Sequence, residues 1–273
     1  MGLPLSVPII TKDEESNLPR CLESLAGLAA EIIVMDSGSI DSTEQIARAA
    51  GARWVPQAWL GYRDQKNAAL ELCTEPWVLA LDADEELSPQ LRAELLTFFQ
   101  NGDSVRFDGA SFPRKVFFLG RWIRHGDWYP DRKLRLIRRG KAHWAGSPEH
   151  DFLQLEGREK RLGADLHHYS FPDINTFLRK IAVFGDEYLR RQIAAGQRWS
   201  LVNNLFRPPW RFFRAYVLRA GFRDGFPGFW IAVGTAFQAF VRHSRAYEYE
   251  VAVGQRDADA AAKASSRGTR PAR

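Results

Sequence analysis

Cysteine is scarce, at two residues in 273. Cys21 and Cys73 each lie among apolar residues at helical spacing, and this excludes a paired metal or redox motif. Both read as buried thiols of a reducing compartment. A secretory signal is also missing, because Met1–Leu5 has neither the charged start nor the long apolar run that export requires. The chain is therefore expected in the cytoplasm. Met1 to Ser6 matches the bare myristoylation pattern, but it runs straight into a strand that must be buried, so the match reads as chance. An uninterrupted apolar run of the ~20 residues a membrane span needs is absent as well. The longest stretch near the C-terminus, Phe226 to Val241, is broken by Pro227, Gly228, Gly234, Thr235 and Gln238.

A hydrophobic content of 45% suits one sizeable core with a smaller appendage. The net charge of +5 has an uneven distribution. Between Thr176 and Ala252 there are 12 Lys and Arg against 5 Asp and Glu, with 17 of the 34 aromatics. That mixture predicts contact with an anionic lipid surface. Beyond Gly254 no apolar periodicity remains, and residues 253–273 are expected to be a disordered tail. The division predicted is a catalytic domain over 1–170, an amphipathic helical region over 171–252, and that tail.

The first hundred residues alternate short apolar runs with helical patterns, the mark of an α/β fold with a mostly parallel sheet. Strands are predicted over Leu5–Thr11, Glu31–Met35, Arg53–Val55 and Trp77–Leu81. Helices follow from about Ser16, where Leu18, Cys21, Leu22 and Leu25 share one face, from Asp41 as N-cap with Glu44 as capping-box partner, and over Arg63–Leu72. Ser88 and Pro89 open a further helix through about Phe99. Pro8 lies inside the first strand, where its missing N–H conflicts with a central position.

Ligands of an open α/β sheet gather beyond the carboxyl ends of its strands. Three such ends are acidic here: Asp13, Glu14 and Glu15; Asp36; and Asp82 with Asp84. Two carboxylates spaced i, i+2 at a strand end can serve one hard divalent cation that keeps positions for substrate phosphates.

The segments Ile9 to Glu15, Asp36 to Asp41, Gln65-Lys66-Asn67 and Leu81 to Glu85 together resemble the successive motifs of family 2 glycosyltransferases, most nearly the lipopolysaccharide core β-1,4-glucosyltransferase group. The resemblance spans about residues 3 to 250. It implies a GT-A fold, Rossmann-like with a mostly parallel sheet, to which the basic, aromatic composition of the C-terminal region adds a helical extension apposed to the membrane. It also implies an inverting transfer of a sugar, glucose from a UDP-sugar, with Mg or Mn as divalent cation. Thr11 and Glu14 would line the nucleoside pocket, Asp36 would hold the base, and Lys66 would lie near the nucleotide. Asp82 would meet the donor ribose and Asp84 the metal diphosphate. The family usually has Asn at the place of Asp13 and Thr at that of Ile40.

Attack by a hydroxyl needs a base near the acceptor. The segment Gly146 to Asp151 concentrates the candidates, and related members resemble it with a His followed by an acidic residue. Asp151 is assigned as base, Glu149 as the alternative, and His150 as a third metal ligand or donor-phosphate contact. His167 and His168 read as the end of a strand with one ring buried. Trp210, Phe212, Phe213, Tyr216 and Val217 alternate with Arg207, Arg211, Arg214 and Arg219, so an apolar and a cationic face share one helix.

The expected partners are a nucleotide-sugar donor, a lipid-linked saccharide such as lipopolysaccharide inner core, and the anionic inner face of the cytoplasmic membrane. Two alternatives stand beside this reading. Transfer to a polyprenyl phosphate needs no base, and the cluster at Glu149 to Asp151 argues against it. A basic, aromatic nucleic-acid-binding module conflicts with carboxylates at the strand ends.

Overall fold

A computed structural model describes residues 2–147 and 150–268, apart from the side chains of His150, Val183, Phe184, Glu187 and 256–268. The chain opens with β1 (Leu3–Thr11), α1 (Leu18–Leu25), β2 (Ala29–Asp36), α2 (Thr43–Ala49), β3 (Arg53–Pro56) and α3 (Tyr62–Glu71). The stripe Leu18, Cys21, Leu22 and Leu25 is the buried face of α1, as its i, i+3, i+4, i+7 spacing predicts. At α2 the expected capping box does not form. Asp41 Oδ1 instead accepts from the Thr43 N–H at 3.0 Å, and Glu44 pairs with Arg48. The short reach of aspartate to the N–H two residues on takes precedence.

Next come β4 (Trp77–Leu79), β5 (Leu81–Asp82), β6 (Glu85–Leu87) and α4 (Pro89–Gln100), whose cap is Ser88 Oγ accepting from the Leu91 N–H at 3.1 Å. The predicted single strand Trp77–Leu81 is thus split at Ala80, and the split accounts for Pro8. On this side β1 pairs at Leu5 and Ser6 with β4, and at Ile9 and Ile10 with β5, skipping the stretch that holds Pro8. The Ala80 N–H turns away to the Arg135 carbonyl at 2.9 Å. A proline therefore sits in a central strand because its neighbour is interrupted beside it.

The chain continues through α5 (Asp103–Arg106), β7 (Gly109–Phe118), β8 (Arg121–Trp122), β9 (Asp131–Arg138), β10 (Ala142–Ser147), β11 (His150–Leu155), β12 (Glu159–Arg161) and β13 (Leu166–His168). The main sheet runs β3-β2-β1-β4-β9-β7-β13-β6, and β10 and β11 form a separate hairpin. The sheet is parallel from β3 to β4, but β9 enters antiparallel on both its sides, so the whole is mixed. Leu5, Val7 and Ile9 face a core shared with α1 and α4. Ile33, Val78 and Ile137 belong to a second cluster with Trp144 and Leu153 of the hairpin. Cys21 and Cys73 are both buried free thiols, as expected.

Described residues up to 124, together with 128–172, form one compact unit, and 125–127 with 173–268 belong to a second. The second contains α6 (Ile174–Ala194), α7 (Leu201–Phe213) and α8 (Gly225–Gly268). The backbone of α8 continues past 253, where a disordered tail was expected. Ala258, Ala260, Ala261, Ala262 and Ala264 supply helix propensity there without needing a buried face. No described helix is long and apolar enough to cross a membrane.

Candidate active site

The strand ends meet as the topology requires. Asp36, at the end of β2, is 3% exposed and accepts the Thr11 hydroxyl at 3.0 Å from the neighbouring end of β1. Its other oxygen accepts the Gly38 and Ser39 N–H groups at 2.8 and 2.7 Å, which shapes the turn that follows. Asp13 adopts a left-handed φ of 55°, a conformation aspartate tolerates. Its Oδ1 accepts the Ile40 N–H at 2.9 Å. The two positions that depart from the family pattern are thus bonded to each other, through an oxygen that asparagine also carries.

In Gln65-Lys66-Asn67 three adjacent side chains take three tasks. Gln65 donates to Ser37 Oγ at 3.2 Å. Asn67 both donates to the Trp144 carbonyl at 3.0 Å and accepts its N–H at 2.8 Å, docking the β10-β11 hairpin on α3. Lys66 lies between Asp82 Oδ1 at 3.0 Å and Asp151 Oδ2 at 2.9 Å, with its ammonium 4.4 Å from the Trp144 ring centre. Burial alone would push the Lys66 pKa down; the Asp82 and Asp151 carboxylates reverse this and hold it above its ordinary value. The lysine and the base candidate, 85 positions apart in the chain, share one ion pair.

Asp82 has a second cation. Arg135 Nη2 lies 2.7 Å from both Asp82 Oδ2 and the fully buried Glu85 Oε1, and Arg114 reaches the same Glu85 oxygen at 3.3 Å. Burial would raise the Asp82 pKa, but Arg135 and Lys66 outweigh it and keep the carboxyl well below the usual range. Sequence reasoning missed Arg135, Glu85 and Arg114. The available signal was Arg135 itself, an arginine in the apolar alternation Leu134, Leu136, Ile137.

Asp84 stands in different company. Its Oδ2 is 3.2 Å from His168 Nε2, brought there because His168 pairs with Glu85 across β13 and β6. Glu14 has its pKa raised, first by burial and then by the charges of Asp84, Asp41 and Asp82, so negative potential gathers at this point. A carboxylate oxygen and an imidazole nitrogen in a field of acids fit a divalent cation that takes its remaining ligands from phosphate and water. Among the described residues no set of three or more His, Cys, Asp or Glu forms a closed metal cluster. The histidine beside Asp84 is thus His168, which the sequence placed first as a strand end and only second as a metal ligand. The side chain of His150 and all of Glu149 lie outside the described residues.

Paired carboxylates at strand ends, cations that organise them and a third acid delivered on a hairpin are thus brought together, an arrangement suited to group transfer. A family model for glycosyl transferase family 2 matches residues 6–153. The chain is 33% identical over 254 residues to the lipopolysaccharide core biosynthesis glycosyltransferase LpsC of Rhizobium meliloti, covering 90% of this chain and 93% of that one. An uncharacterised glycosyltransferase of Rickettsia typhi is 29% identical over 255 residues, covering 89% and 87%. The crystal structure of S. aureus TarS 1-349 in complex with UDP-GlcNAc aligns with 15% identity and a TM-score of 0.46, over 88% of this chain and 82% of that one. This chain belongs to glycosyl transferase family 2. It is a glycosyltransferase, and its first unit is the α/β fold of GT-A type expected of the family.

Proposed function

We propose that this enzyme moves glucose from a UDP-sugar, with inversion, onto a hydroxyl of a lipid-linked saccharide of the lipopolysaccharide core, at the inner face of the cytoplasmic membrane. The observation that carries the reading is the joining of Asp151 to Asp82 through Lys66, beside Asp84 at the same strand end. Similarity to LpsC over nearly the whole chain supports the acceptor class. In the transfer, the acceptor oxygen attacks the anomeric carbon as the bond to the diphosphate breaks, and the hydroxyl proton passes to the Asp151 carboxylate. Lys66, 2.9 Å from Asp151 Oδ2, holds that carboxylate in place. Thr11, Glu14 and Asp36 line the nucleoside side, Asp36 by holding the turn after β2, and Asp82 meets the ribose.

Asp84, with His168 and His150 as further candidate donors, would hold Mg or Mn. Such a cation, when bound, stabilises the charge that builds on the leaving diphosphate. The charge the second unit presents, and the exposure of Leu205, Phe206 and Trp210 at 56%, 68% and 54%, support peripheral binding to an anionic surface. A panel of nucleotide sugars, assayed for hydrolysis and for thermal stabilisation with Mn or Mg, tests the donor assignment. UDP-glucose is expected to give both signals. Another nucleotide sugar giving them alone would replace the donor, and no response to any would overturn the reading.

A further inference from the structure

One cluster of charges in the second unit has no part in the proposed transfer. The Asp127 side chain is 8% exposed and is approached by three arginines. Arg214 Nη2 and Arg211 Nη1 lie 2.7 and 3.6 Å from Oδ2, and Arg219 Nη1 lies 3.2 Å from Oδ1. One carboxylate is matched by one guanidinium, so the set carries a formal surplus of two positive charges. Three of the four arginines expected on a cationic helix face converge here on one carboxylate.

Local structure explains the convergence. Arg211 and Arg214 are i, i+3 neighbours and share a helix face. In a regular α-helix Arg219 would stand about 140° round from Arg214. Residues Arg214–Leu218 instead form a π turn, in which the Arg219 N–H donates to the Arg214 carbonyl at 2.9 Å, and the wider turn brings Arg219 back to the same side. Single π turns are rare and concentrate at functional sites. The next residue, Ala220, holds a left-handed φ of 54°, which a side-chain-bearing residue adopts only at a cost. The carboxylate is fixed from its own side as well. The His125 N–H donates to Asp224 Oδ2 at 2.7 Å, and the Gly126 N–H donates to the Arg219 carbonyl at 2.9 Å.

The arginines remain 30–50% exposed. On the same stretch Trp210, Phe213, Val217, Leu218 and Phe222 are 44–59% exposed. Planar forks with two surplus charges match a dianionic phosphomonoester, and large apolar side chains around them match acyl chains. We propose that Arg211, Arg214 and Arg219, organised by Asp127, bind the phosphomonoester headgroup of a membrane lipid. This rests on the membrane reading above and adds to it a selectivity that diffuse attraction does not give.

The test sediments the full chain with phosphatidylcholine vesicles containing either phosphatidic acid, a phosphomonoester, or phosphatidylglycerol, a phosphodiester, at matched surface charge. Binding to phosphatidic acid vesicles is expected to be about tenfold tighter, the ratio expected of one added charge-assisted pair. Arg219→Gln, with its fold checked by far-UV spectrum, should bring the two affinities together. Arg219→Lys keeps the charge and loses the fork, so it should retain phosphatidylglycerol binding and lose the preference. Equal wild-type affinities overturn the headgroup site and leave the membrane reading standing. Binding to neither vesicle overturns both, and a preference that persists in Arg219→Gln removes it from this cluster.

Discussion

Arg135 is the residue on which the acidic strand ends depend most. Its side chain is 4% exposed, and one nitrogen serves both Asp82 and Glu85 at 2.7 Å. Arg135→Met leaves those carboxylates short of a cation. With charge centres about 4 Å apart and an effective dielectric near 20, each pair contributes about 4 kcal/mol of attraction. Recovered hydration of the guanidinium, the packing of methionine, Lys66 on Asp82 and Arg114 on Glu85 offset part of this. The net loss expected is about 3–5 kcal/mol, the range for breaking one side of a buried ion pair. Urea unfolding followed by tryptophan fluorescence measures it, and turnover should fall in parallel because Asp82 loses its position. Adding Glu85→Gln removes one stranded charge and should restore about 2 kcal/mol. An Arg135→Met variant within about 1 kcal/mol of wild type would refute the electrostatic account of this site.

Asp84→Ala should abolish transfer with an unchanged far-UV spectrum, whereas a lost fold would make the residue structural. Asp151→Asn should lower turnover by about 10²–10⁴-fold with little change in donor affinity, and an unchanged rate would move the base to Glu149. Asp131 has its pKa held down by Arg114 and Lys133 against the upward push of burial. Its contribution is therefore present above the unfolded value of about 3.9 and lost as pH falls through the folded value. The gap in stability between wild type and Asp131→Asn, measured in urea, should narrow between pH 7 and pH 3, and a constant gap would count against the pairing. Gly228→Ala places a Cβ 1.9 Å from the Gly221 carbonyl oxygen. It should cost about 1–3 kcal/mol by overpacking, read from a thermal melt, and an unshifted melt would count against this close approach.

Local periodicity carried much of the first unit. The stripe on α1, the Ser88 cap and the strands at β1, β2 and β3 follow from spacing and capping chemistry that act within a few residues. What escaped depends on pairing across the chain. The interruption at Ala80, which accommodates Pro8, is a backbone event between residues more than seventy positions apart. His168 reaches Asp84 only because β13 adds antiparallel to β6, and neither three-residue strand carries enough alternation to announce the pairing. Arg135 was visible as a charge in an apolar strand, but its partners came from sheet order. In the second unit the basic residues were countable, yet the π turn that gathers three of them has no compositional signature.

The two carboxylates Asp82 and Asp84, at the end of β5 and just beyond it, share a motif and are treated oppositely by their surroundings. Asp82 is met on one oxygen by Lys66 and on the other by Arg135, so its charge is compensated inside the protein. Asp84 turns toward His168, and the pKa of Glu14 nearby is raised, first by burial and further by the charges of Asp84, Asp41 and Asp82. A divalent cation placed at Asp82 would have to displace two resident cations, whereas at Asp84 it relieves carboxylate repulsion. On the proposed metal reading, electrostatics favours Asp84 over Asp82 for the cation, a distinction that the Asp-x-Asp spacing alone leaves open. The same argument bears on Lys66. An incoming diphosphate offers that ammonium a third anionic partner, so donor binding and the placement of Asp151 are coupled through one side chain. On this account Lys66→Met should weaken donor binding and lower turnover at saturating donor together. A change in only one of the two would show that the lysine serves either the nucleotide or the base, but not both.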